Sequence, residues 1–112
     1  MKMIKFITKY NLRGSLLEKV SVNENTVILT LDYCYWQQDD YKDGTKETGI
    51  VDIVFDHVNN FIHEDYQINS DEIIDVFIDE NDQLNIKVFN DINLKYYNCI
   101  IDCDRVEFTE IS

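Results

Sequence analysis

From Val27 to Tyr35 the chain alternates without a slip. Val27, Leu29, Leu31, Tyr33 and Tyr35 fall on one face, and Ile28, Thr30, Asp32 and Cys34 on the other. A period of two matches a strand buried on one side, because successive strand side chains point to opposite faces. Leu16, Glu18, Val20 and Val22 repeat the pattern just upstream, and Asn23-Glu-Asn25 lies between the two runs. Asparagine tolerates the left-handed backbone of a tight turn, so the two runs are predicted to pair as a hairpin.

The rest of the chain follows the same rule with fewer markers, since it has three glycines and no proline. Residues 37–48 are polar, with Asp43-Gly44 as a turn signal, and read as a mobile loop or an extended hairpin tip. Alternation resumes over Ile50 to Val58, where Val51, Ile53 and Phe55 oppose Asp52 and Asp56. Residues 59–70 read as irregular, anchored by Phe61, Ile62 and Tyr66. Residues 70–79 admit two readings. Ser70 can cap a helix bearing Ile73, Ile74, Phe77 and Ile78, or the segment can be a strand turning at Glu80-Asn-Asp-Gln83 into Leu84, Ile86 and Val88. The hairpin explains both halves and is preferred. Tyr96 to Ile111 reads as one long bent strand or two short ones, and residues 3–10 as a strand or a short helix, with the strand preferred. The prediction is all-β, a single antiparallel domain over residues 1–112. It has about seven strands, arranged as a barrel or a two-sheet sandwich.

Composition supports a packed domain. Of 112 residues, 45% are hydrophobic and 12% aromatic, enough for a core without disulfide staples. Cys34, Cys99 and Cys103 include no CxxC and sit among apolar neighbours, so they read as free core residues. No apolar run approaches the ~20 residues that span a bilayer, and lysines interrupt any signal-like N-terminus. The expectation is a cytoplasmic protein.

Charge is unevenly placed. Residues 1–20 carry five cations and one acid, whereas the remainder carries five cations and twenty-one acids. Between Lys46 and Lys87 there are forty residues with eleven acids and no Lys or Arg. A net charge of −12 repels nucleic acid and anionic membrane and favours basic partners. Base composition offers a competing explanation. Fifteen Ile, eleven Asn and no Pro fit an AT-rich coding sequence, in which Asp and Glu are frequent. Charges on alternate strand positions also discourage edge-to-edge association without any partner.

Catalytic and metal signatures are weak. His57 and His63, with Asp56, Glu64 and Asp65 nearby, match no recurrent zinc spacing and read as exposed loop histidines. Asp79-Glu-Asn-Asp-Gln83 and Asp39-Asp-Tyr-Lys-Asp-Gly44 lack the calcium-loop frame and read as turns. No serine lies in an elbow motif, no glycine-rich phosphate loop exists, and no cofactor is implied. The expected function is therefore binding, not catalysis. The most plausible contact element is Trp36 with Tyr41, surrounded by Asp39, Asp40 and Asp43. Asp52, Asp56, Asp75 and Asp79 are expected to extend it as one outward acidic face.

The order of elements carries a resemblance. Asn11-Leu-Arg-Gly-Ser15 leads into Leu16–Val22, then Val27–Tyr35 ending in Trp36, then Ile50–Val58 with Phe61. Over residues 11–62 this resembles small all-β bacterial proteins, some similar to immunity proteins encoded beside secreted polymorphic toxins. The resemblance implies a toxin-neutralising, protein-binding module with a basic protein as partner. It assigns no active-site residue. Two other readings compete, a small-ligand binder or cryptic enzyme in a β-barrel mouth, and a self-associating structural protein.

Overall fold

The computed structural model describes residues 1–111. Helix α1 (Met3–Lys9) precedes six strands: β1 (Leu16–Asn23), β2 (Thr26–Cys34), β3 (Thr48–His63), β4 (Asp71–Ile78), β5 (Leu84–Asn90) and β6 (Lys95–Glu110). A single 3-10 turn, Tyr35–Gln37, follows β2. All pairings are antiparallel, in the order β1-β2-β3-β6-β5-β4. The first and last strands also meet, at Leu16 opposite Glu72 and Leu17 opposite Asp71, so the sheet closes on itself.

The alternating segments pair as their patterns require. Val27, Leu29, Leu31 and Tyr33 of β2 point inward and are buried, as are Val51, Ile53 and Phe55 of β3. Residues 71–78 form a strand, not a helix, and pair with β5 as the hairpin reading requires. Leu84 and Ile86 then point inward opposite the buried Ile101 and Cys99 of β6, and Val88 is buried next to them on β5.

Three expectations are corrected. Among the described residues there are six strands, not about seven, because residues 95–110 form one continuous strand and residues 3–9 form a helix. Met3, Phe6, Ile7 and Tyr10 recur at helical spacing, which puts one apolar stripe on the core. Phe6 is fully buried and meets Phe55 edge-on, 6.5 Å between ring centroids. The chain start is pinned as well: Val106 N–H donates to Met1 O at 2.7 Å, and the terminal amine donates to Val106 O at 2.8 Å. The third correction concerns residues 59–63, which continue β3 along β6 instead of becoming irregular. His57 absorbs the change of course with a left-handed backbone (φ 54°).

The seam between β1 and β4 is short. Beyond Leu17 and Asp71 the two strands part, which leaves the outer side of each without a strand partner. Gly14 and Ser15 bridge the top of the seam, where Gly14 N–H donates to Ile73 O and Ile73 N–H donates to Ser15 O. Gly14 adopts a left-handed backbone, φ +84°, that favours glycine.

Candidate functional site

Sheet order decides which acids can act together. β3 lies between β2 and β6, whereas β4 lies between β5 and β1. Asp52 and Asp56 therefore sit on the opposite side of the sheet from Asp75 and from Asp79 just after β4. The expected single face of Asp52, Asp56, Asp75 and Asp79 does not form, because β3 and β4, consecutive in sequence, are not neighbours in the sheet.

Asp75 has a local explanation. Arg13 Nη2 lies 2.5 Å from Asp75 Oδ1, the one ion pair among the described residues. The same carboxylate oxygen accepts the Val76 N–H at 2.9 Å, and Arg13 Nη2 also donates to Val76 O at 3.4 Å. Together they occupy both backbone groups of Val76 on the open seam. The Arg13 hydrogen bond is the chief reason that Asp75 titrates below the ordinary carboxylate value.

A different acidic face exists on β3 and β6. Asp52 lies opposite Thr109, Val54 opposite Glu107, Asp56 opposite Arg105, and Asn60 opposite Asp102. Asp52, Asp56, Asp102 and Glu107 thus share the outer surface of the most extensive strand pair, whereas Asp104 lies on the wall of a hollow beside α1. Within β3 there is no Lys or Arg, and within residues 96–110 of β6 only Arg105. Asp52 is held in place by Thr30 Oγ1 at 2.7 Å, and Asp56 accepts a longer bond from Thr26 Oγ1 at 3.4 Å. Sequence reasoning missed Asp102 and Glu107. The alternation around Cys103 was visible, but nothing local says that β6 pairs with β3.

The aromatic loop sits at one end of this face. Trp36 is 52% exposed, and its backbone N–H is tied to Glu47 O at 3.2 Å, beside the start of β3. Asp39, Asp40 and Asp43 are exposed and Tyr41 is half-buried. These acids do not form a purely negative cluster. Asp39 and Asp40 face Lys9 and Arg13 across one groove, and Asp40 shares a second groove with Lys42 and Lys46.

Gln38 organises this end. Its Nε2 donates to Asn11 O and Cys34 O at 2.8 and 2.9 Å, and its Oε1 accepts Asn11 N–H at 2.9 Å. Beside it opens a cavity of about 390 Å³ lined by Lys9, Tyr10, Tyr33, Tyr35, Gln38, Asp40, Phe108 and Glu110. Tyr10 stacks on Phe108 at 4.3 Å, and Tyr33 meets both Phe108 and Tyr35 edge-on at 4.9 and 5.0 Å. Tyr35 Oη donates to Glu110 Oε1 at 2.9 Å. Burial and that carboxylate push the Tyr35 phenol up to about 12. Burial, with Asp40 among the nearby charges, also raises Tyr33. A larger hollow of about 530 Å³ flanks the other end of α1, between Met3, Ile78 and Cys103, with Lys2, Asp82 and Asp104 also on its wall.

At the far end of β3 the His63 ring points inward between Phe61 and Tyr66, with Cys99 opposite on β6. Asp71, 1% exposed, accepts Asn90 Nδ2 at 3.0 Å and Asn69 N–H at 3.3 Å. Burial lowers His63 below its ordinary value and pushes the Cys99 thiol up to about 12. A thiol so protonated is a poor nucleophile at neutral pH. Among the described residues no group of three or more His, Cys, Asp or Glu is placed to hold a metal. No helix among them is long and apolar enough to cross a membrane.

Comparison with protein-family models, with curated proteins and with solved structures finds no match to this chain.

Proposed function

We propose that this protein is a non-catalytic binding module for a basic protein, of the kind that neutralises a toxin in the manner of an immunity protein. The observation that carries the reading is the outer face of β3 and β6, where four acids, Asp52, Asp56, Asp102 and Glu107, stand against a single cation, Arg105. The exposed Trp36 and the loop bearing Asp39, Asp40, Tyr41 and Asp43 lie at its end and supply the aromatic anchor such interfaces use. A rigid closed sheet suits this role, because a preformed surface loses little freedom on binding. Its negative field accelerates encounter with a positive partner more than it tightens the complex. The face accounts for the charge without Asp75, which serves the seam instead.

The test is affinity capture from the producing cells, with identification of what is bound, followed by measurement of the association rate against ionic strength. A basic protein whose association slows steeply with added salt supports the reading. Capture of only neutral or acidic proteins removes its basis.

A further inference from the structure

We infer that the aromatic cavity between α1, the end of β2 and the end of β6 is a seat for one arginine side chain of the basic partner, an inference that rests on the binding function proposed above. Three features of the cavity converge on a planar cation. First, its walls are rings: the stacked Tyr10–Phe108 pair, Tyr33 at the base and Tyr35 opposite. Cations are attracted to aromatic faces within about 6 Å of the centroid. Second, its polar groups include two carboxylates, Asp40 and Glu110. The Tyr35 hydroxyl donates to Oε1 of Glu110, and among the described residues no donor is bonded to Oε2.

Third, the protein already places its own cations on these rings. Lys46 Nζ lies 5.0 Å from the centroid of Tyr35, and Lys9 Nζ lies 5.3 Å from that of Tyr10. The lysines show what charge the rings attract, and Lys9, on the cavity wall, has a long flexible stem that can swing aside. A guanidinium outcompetes an ammonium here, because it stacks flat on a ring while its fork of donors reaches a carboxylate. Gln38 holds the rim in place, since both ends of its amide are bonded to backbone. A cavity of about 390 Å³ admits a side chain but not a folded element.

The experiment is an NMR titration of the full chain with N-acetyl-arginine methylamide, run in parallel with the citrulline and lysine equivalents. Citrulline keeps the shape of arginine and loses its charge. The expected result is saturable shifts at Tyr35, Gln38, Asp40, Phe108 and Glu110 with arginine, weaker ones with lysine and none with citrulline. Asp40→Asn should weaken arginine by about fivefold, and Lys9→Met should strengthen it by a similar factor, as the cation on the cavity wall is removed. Equal shifts with citrulline, or arginine shifts confined to the β3–β6 outer face, overturn the seat. The proposed function fails separately. If a captured basic partner binds Asp40→Asn and wild type alike, the seat is wrong and the acidic face stands. If the arginine probe seats but no basic protein is captured, the reverse holds.

Discussion

Arg13 and Asp75 meet across the seam where β1 and β4 part, at 2.5 Å, and both also bond the backbone of Val76. The pair therefore does more than neutralise charge. It occupies the donor and acceptor that an incoming strand would need, on one of two strand segments the closed sheet leaves without a neighbour. Unpaired strand edges recruit other chains unless blocked by charge or by local bonding.

Replacing Arg13 or Asp75 by alanine should barely change stability, by less than about 1 kcal/mol, since both side chains are half-exposed and solvent-screened. Self-association should rise instead. Light scattering over a concentration series is the check, with wild type staying smaller than either variant. A variant that loses much stability but stays the size of wild type would show that the pair holds the fold and not the edge.

Phe6→Ala should cost about 3–5 kcal/mol, because it empties a fully enclosed site between α1 and Phe55. Urea denaturation measures it. A loss below about 1 kcal/mol would mean that α1 rests on the sheet without closing its core.

That helix also shows where sequence reasoning ran short. The strand alternation of Val27–Tyr33 and Val51–Phe55 was legible, because one buried face is enough to reveal period two. In Met3–Tyr10 the helical stripe of Met3, Phe6, Ile7 and Tyr10 was blurred by Ile4, which is exposed. The site was harder. Asp52 and Asp56 were recognised as outward-facing, but chain order was taken for sheet order, so Asp75 was grouped with them. Asp102 and Glu107 stayed hidden, because the choice of strand partner is a property of the whole sheet.

Stability should fall as pH drops below His63's ordinary value of 6.5. Burial lowers the folded pKa, with Asp65, Glu64 and Asp71 opposing it. Tyr66 beside the ring and Cys99 on β6 stay protonated throughout this range. The unfolded chain therefore binds a proton that the folded chain refuses. The His63 contribution is complete above 6.5 and is lost as pH falls toward the folded value. Urea midpoints between pH 7.5 and 5 should decline in wild type and flatten over that window in His63→Gln. An unchanged slope in the variant would place the titration elsewhere.

The three thiols should be silent toward a disulfide reagent in native protein at pH 8 and react fully after denaturation. All three are buried, with Cys99 pushed up to about 12, Cys103 to about 11 and Cys34 also raised, in each case first by burial. Rapid reaction of Cys103 alone would show that the hollow beside α1 opens in solution.

The central claim is that the outer face of β3 and β6 engages a basic protein. It is tested most directly by two variants of equal net charge, used as bait in capture from the producing cells. One carries Asp52→Lys, Asp102→Lys and Glu107→Lys on that face. The other carries Glu18→Lys, Glu72→Lys and Asp91→Lys, away from it. The account expects a basic protein to be captured by wild type and by the second variant, and lost by the first. Equal capture by both variants would contradict it, because the attraction would then belong to net charge and not to this face.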